Sequence, residues 1–244
     1  MSLNKAELAR DYLSRKRNQN INMLASLQAG ISEVVTAEDK GCLFCTSGSI
    51  WQLAADDTET ALRFYDMIPE GVTMLEVQEA SQFDLIAERF QPSCIETYYN
   101  AWYDHDAIEL PDIGAQVRRM TEDDADEIAK YYHLPGPSAG KFEETRAYVM
   151  ERIPTETVMG VFFDDRMAGF IGTHDEGSLG MLTVVPEFRR RGLATYLERV
   201  AIDAALKRGH IPFGQVAKHN EASLALQRSM GLTISDELVC WMDK

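Results

Sequence analysis

The sequence is poor in cysteine, in positive charge and in long apolar runs, and each shortage excludes something. Four cysteines in 244 residues are too few for a disulfide scaffold. Cys42 and Cys45 have the spacing of a redox or zinc pair. No second pair or nearby histidine completes a metal set, so they read as buried thiols of a strand and no metal is expected. With 24 Lys+Arg against 39 Asp+Glu and a formal net charge of -15, the chain lacks the basic cover that nucleic acid or an anionic membrane surface needs. No apolar run approaches the ~18–20 residues of a membrane span, and residues 1–7 lack the apolar core of a signal peptide. The expectation is a cytoplasmic protein with neither nucleic-acid nor membrane partners. What is present, 45% hydrophobic and 26% charged residues, is the composition of a foldable globule of one large domain or two smaller ones.

The charge is unevenly spread. Residues 1–110 carry 8 basic and 18 acidic side chains, whereas 181–230 carry 8 basic and 4 acidic ones. A locally basic stretch in an acidic chain fits either ordinary variation on helix faces or a site for a compact polyanion such as a phosphorylated cofactor.

Apolar positions Leu8, Leu13, Ile21, Leu24 and Leu27 predict a helix over 5–28. Short β-rich runs follow at 31–37 and 42–46, then a helix opened by Asp56-Asp57, a strand at 72–77, a helix over 83–90 and an aromatic strand with Tyr98, Tyr99, Trp102 and Tyr103. Pro111 and Gly114 interrupt both periodicities and mark a linker. Beyond it come a strand at 116–120 and a helix opened by Thr121, Glu122, Asp123 and Asp124, then loop signals at Pro135, Gly136 and Pro137. A helix over 143–152 and a β-meander of 158–163, 167–173 and 179–185 follow. Both halves have a mixed α/β grammar.

The most informative stretch runs from Thr183 to Ala194. A β-rich run ends at Pro186, a short loop carries Arg189, Arg190 and Arg191, and Gly192 begins a helix whose apolar positions Leu193, Tyr196, Leu197, Val200 and Ala204 recur at helical spacing. Free N–H groups and the dipole make such a helix start a phosphate site, small residues let a ligand approach the backbone, and arginines add charge. The alternative is a surface turn with arginines in solvent. Downstream, a run from Ile211 to Gln215 leads to His219, then Asn220 as a good N-cap, and Gly231 as a good residue to end the helix that follows.

These two ordered stretches resemble the GNAT acyltransferase superfamily, whose signature is Arg/Gln-x-x-Gly-x-Gly/Ala after a strand; Arg189, Gly192 and Ala194 fit it. Lys207, Arg208, Gly209 and Pro212, with Cys240 and Trp241 near the end, resemble the glycine N-acyltransferase branch, whose members carry a degenerate GNAT-like unit ahead of the active one. The resemblance implies an α/β (α+β) fold of tandem GNAT-like mixed sheets flanked by helices. Residues 1–112 would be the degenerate unit and 113–244 the acyl-CoA-binding one, with a splayed parallel strand pair at 179–185 and 213–217.

It further implies that acetyl-CoA or another short acyl-CoA is the co-substrate. Its pantetheine would pair with backbone near Thr183, Val184 and Val185, and its pyrophosphate would meet the loop and helix start formed by Arg189, Arg190, Arg191, Gly192, Leu193, Ala194 and Thr195; Asn220 belongs to the second motif. The implied reaction is direct transfer of the acyl group to a primary amine of a small molecule or amino acid, by a monomer or homodimer. Catalytic positions depart from the family pattern: Gln227 stands where many members have a tyrosine acid and Gln215 where some have a glutamate base. The remaining proton-transfer candidates are Glu176, in the turn before the cofactor strand, His174 beside it, and His219 next to Asn220. A non-catalytic acyl-CoA-binding module and a protein N-acetyltransferase stand as alternatives.

Overall fold

Helix-capping side chains and strand alternation set most of the boundaries. In the computed structural model, which describes residues 4–134 and 139–244, the first helix α1 (Lys5–Arg15) starts at a capping box. Asn4 Oδ1 accepts from the Glu7 N–H, and the Asn4 N–H donates back to Glu7, both at 2.9 Å. The helix expected over 5–28 is two helices, α1 and α2 (Ile21–Gln28). Asn18 and Asn20 at the break favour turn geometry, and Gln19 there donates its side-chain amide to the Gln78 carbonyl at 2.6 Å.

The chain divides into two compact units. The first comprises Met1–Trp102, Asp175–Gly177 and Phe213–Lys244. After α1 and α2 it contains β1 (Ser32–Glu38), β2 (Gly41–Thr46), β3 (Ile50–Ala55), α3 (Thr58–Tyr65), β4 (Met74–Val77), α4 (Phe83–Phe90) and β5 (Cys94–Trp102). From the C-terminal stretch come β10 (Phe213–Ala217), α8 (Glu221–Ser229) and β11 (Thr233–Asp243). Its seven-stranded sheet has the order β1-β2-β3-β4-β11-β5-β10, antiparallel throughout except for the parallel pair β3 and β4. One face buries Leu53, Phe64, Leu75, Val77, Ile86, Phe90 and Met242 in one core, and Tyr12, Leu13, Met23, Cys42 and Phe44 form a separate core with α1 and α2. Cys42 and Cys45 serve different cores, as residues three apart in a strand must; all four cysteines are free thiols, and no metal-holding group occurs among the described residues.

The expected linker does not separate the sheets. β11 lies between β4 and β5, and β5 in turn lies between β11 and β10, so strands from before and after residue 112 alternate. β3 escaped the sequence reading because all six of its residues are buried, which erases the alternation that marks a half-exposed strand.

The second unit is Tyr103–His174 with Ser178–Pro212. It holds β6 (Gln116–Arg119), α5 (Ala125–Tyr131), α6 (Phe142–Arg152), β7 (Met159–Phe163), β8 (Arg166–Thr173), β9 (Leu179–Val184) and α7 (Leu193–Lys207). The sheet β6-β7-β8-β9 is an antiparallel meander. Leu193, Leu197 and Ala201, at i, i+4 and i+8 on α7, join Phe170, Ile171, Val161 and Val149 in its core. β9 and β10, the two strands expected to splay, belong to different sheets, and each is the last strand of its own. Loop signals at Pro135, Gly136 and Pro137 lie outside the described residues. No helix among the described residues is long and apolar enough to cross a membrane.

Candidate functional site

β9 does not run regularly. Its pairing with β8 slips between Phe170 and Gly172, and Met181 within it has φ 56°. This is a β-bulge that stores backbone strain and turns peptide groups out of the ladder. Past the bulge the strand ends at Val184, and Val185 just beyond it is buried in the core. Pro186 opens a single helical turn, and the arginine loop follows.

In the loop, Arg189 Nε donates to the Val184 carbonyl at 3.2 Å, folding the side chain back on its own strand. Arg190 and Gly192 take positive φ, 62° and 76°, a backbone twist that turns successive N–H groups to one side. A Cβ at Gly192 would meet nothing within 4 Å, so glycine is needed there for its dihedral angle and not for space. Gly192 is the N-cap of α7 without a capping side chain, which leaves the first-turn N–H groups for a ligand. A cavity of about 550 Å³ opens here, lined by Thr183, Val184, Arg189, Arg190, Gly192, Leu193 and Ala194 together with Leu182 and with Tyr131, Tyr132 and His133 from the end of α5.

Of the residues expected to hold a cofactor, these seven share that cavity, whereas Val185, Arg191 and Thr195 do not line it. Arg191 instead lies over the Phe188 ring at 5.4 Å. The donor set fits the pyrophosphate of an acyl-CoA: an open cradle, unpaired helix N–H groups and cationic Arg190. His174 lies at the end of β8 in the same unit, where its Nδ1 is 2.7 Å from the Tyr148 hydroxyl.

The other expected residues belong to the first unit. Asn220 caps α8, accepting from the Ser223 N–H at 3.1 Å. His219 is exposed, 3.4 Å from Glu96. Glu176 is buried. Near it lies a carboxylate that sequence reasoning missed: Glu76, wholly buried on β4. Asn22 Nδ2 at 2.8 Å and Gln215 Nε2 at 2.6 Å donate to one of its oxygens, and Gln52 Nε2 at 2.6 Å to the other. Burial pushes Glu76 up to about 7, with the Glu176 charge adding to the rise and the amide donors opposing it. Gln215 also accepts from Trp241 Nε1 at 2.8 Å. Gln215 is therefore occupied holding a carboxylate from the first half of the chain. No sequence spacing links positions 76 and 215, and β11 and β5 lie between their strands, so it is the side chains that meet.

The fold is mixed α/β, with a bulged strand, an arginine loop and an uncapped helix start at one corner of the second unit. Residues 123–232, somewhat less than half of the chain, match the model of the acetyltransferase (GNAT) family. Among solved structures, a Drosophila protein superposes with a TM-score of 0.65 at 17% identity, covering 98% of this chain and 95% of that one. A GCN5-related N-acetyltransferase from Kribbella flavida reaches 0.58 at 13%, covering 93% and 95%. A tandem GNAT protein from the clavulanic acid biosynthesis pathway reaches 0.52 at 15%, covering 97% and 93%. At these identities the similarity shows a GNAT-like fold. No curated protein matches the chain by sequence.

Proposed function

We propose that the protein is an acyl-CoA-dependent N-acyltransferase moving an acyl group, acetyl first of all, to a primary amine of a small molecule or amino acid. The observation that carries this reading is the coincidence of the arginine loop, the β9 bulge and the 550 Å³ cavity within the segment that matches an acetyltransferase family. Bound there, acyl-CoA would supply an activated thioester; the α7 N-terminus and Arg190 would hold its phosphates, and backbone at the bulge would offer an N–H to the carbonyl oxygen as charge develops.

Residues 1–112 are read as a degenerate GNAT-like unit of the kind found in the glycine N-acyltransferase branch. The order β1-β2-β3-α3-β4-α4-β5 repeats as β7-β8-β9-α7-β10-α8-β11, which supports that reading. At the corner between β3 and α3, where the second copy has arginines, the first has Asp56 and Asp57. Asp57 accepts from the Thr60 N–H at 2.8 Å, so a carboxylate already fills the anion position and repels phosphate. One cofactor per chain is the consequence.

Acetyl-CoA at 100 times its Kd is expected to stabilise the protein by about 2.7 kcal/mol, read as a rise in Tm. Gly192→Val is expected to lose that rise, because a β-branched residue at φ 76° costs about 1–2 kcal/mol and turns the loop N–H groups away. No Tm rise with any acyl-CoA at millimolar concentration refutes acyl-CoA binding altogether. The second reading, a non-catalytic acyl-CoA-binding module, is favoured by one observation, the commitment of Gln215 to Glu76 and Trp241. Thiol release across a panel of amino acids and polyamines separates the two.

A further inference from the structure

Tyr148 on α6 meets His174 at the end of β8 through a 2.7 Å hydrogen bond to Nδ1, with ring centroids 6.1 Å apart. Tyr148 also stacks on Tyr132, 6.5 Å away, and Tyr132 lines the cavity at the arginine loop. The histidine is held at two further points: its N–H donates to the Ser178 carbonyl at 2.9 Å, and its carbonyl accepts from Arg152 at 3.3 Å, which also donates to the neighbouring Thr173 carbonyl at 3.0 Å. The far edge of the ring lies over β9, where a Cβ added to Gly180 would run into Nε2. Gly180 thus clears a seat for the imidazole two residues upstream of Leu182, a cavity residue, or about 7 Å along the strand.

A histidine used only to fill space needs neither a phenol on one nitrogen nor a glycine beneath the other. We propose that Tyr148 and His174 form the proton-transfer pair of the acyltransferase, with His174 Nε2 as the catalytic base and Tyr148 as the positioning residue that fixes its tautomer. The inference rests on the acyltransferase reading. Nδ1–H donates to the Tyr148 oxygen, which leaves the Nε2 lone pair facing the β9 side. An acceptor arriving as R–NH3⁺ gives one proton to Nε2. The freed nitrogen lone pair forms the C–N bond to the acyl carbon, the C–S bond breaks, and sulfur keeps its electron pair. His174 returns its proton to sulfur, and the second ammonium proton goes to solvent, so the imidazole ends as it began.

The tautomer tests the pair without turnover. In ¹⁵N-detected spectra of the whole protein, His174 is expected as the Nδ1–H tautomer, and Tyr148→Phe is expected to release it to a mixture; an Nε2–H tautomer in the wild type overturns the proposal. With acetyl-CoA and the amine panel, His174→Ala is expected to lose 100-fold or more in kcat. Its acetyl-CoA-dependent Tm rise is expected to persist, and added imidazole is expected to restore part of the rate, which a packing defect would not allow. A wild type that turns over while His174→Ala keeps its rate refutes the pair, as does loss of rate in Glu176→Gln alone. A wild type that shows the Nδ1–H tautomer and the Tm rise but no thiol release with any amine overturns the acyltransferase reading and the catalytic role with it, and leaves the tautomer assignment standing.

Discussion

A chain shortened to residues 113–244 is expected to fail to fold over its last thirty residues and to aggregate, even though it contains the arginine loop and the whole family match. β10 has β5 as its one strand neighbour, and β11 has β4 and β5; all of these partners lie before residue 112. Without them, an eleven-residue strand would present two bare edges, and Val239, Cys240, Trp241 and Met242, all buried, would face water. Burial of such side chains is worth about 1.5–3 kcal/mol each, together comparable with the 5–15 kcal/mol net stability of a typical domain, and an unpaired apolar edge recruits other chains. Supplying residues 1–112 as a second polypeptide is expected to restore a soluble complex, because the contacts needed are strand pairings and not a covalent link. A monomeric 113–244 piece with a cooperative thermal transition and dispersed amide signals for residues 233–243 would falsify this account of the interleaved sheet.

The second large effect centres on Glu76. Replacing it with leucine strands the buried amide donors of Asn22 and Gln52, while the Gln215 amide keeps its bond to Asn100 Oδ1. Each unpaired buried group costs about 1–3 kcal/mol, so Glu76→Leu, which strands two, is expected to lose at least about 2 kcal/mol in urea unfolding. Glu76→Gln separates hydrogen bonding from charge, since a flip of the Gln52 amide lets the new side chain keep its partners. In the wild type the folded state holds the Glu76 proton up to about pH 7, against the ordinary 4.5 of the unfolded chain. Between those values the folded form binds more protons than the unfolded one, so this group's contribution is full below about pH 4.5 and is lost as pH rises through 7, by about 3 kcal/mol. Glu76→Gln is therefore expected to flatten the decline between pH 5 and 8 and to gain on the wild type at the upper end. Identical pH profiles for the two proteins would show that the carboxylate does not titrate in this interval.

What could be read from residue order follows from how local each signal is. The arginine loop and α7 were legible because strand end, glycine with positive φ and amphipathic helix occupy consecutive residues, and backbone chemistry imposes the same grammar wherever it occurs. The Asn220 cap, the meander and the two short thiol-bearing strand positions were legible for the same reason. The break between α1 and α2 was not, because leucine periodicity continues through residues that turn to deliver Gln19 to Gln78. β3 was not, because a strand buried on both faces loses its alternation.

The sequence by itself determined an acidic α/β protein with an arginine-rich strand-to-helix corner at Arg189–Gly192, since charge balance, capping and helix periodicity are properties of neighbouring residues. Tertiary structure alone decided that strands from the two halves interleave, that Gln215 holds the buried Glu76, and that Tyr148 meets His174 across 26 positions. Each of these joins residues far apart in the chain, and their meeting is fixed by which strands pair and which side chains share a face.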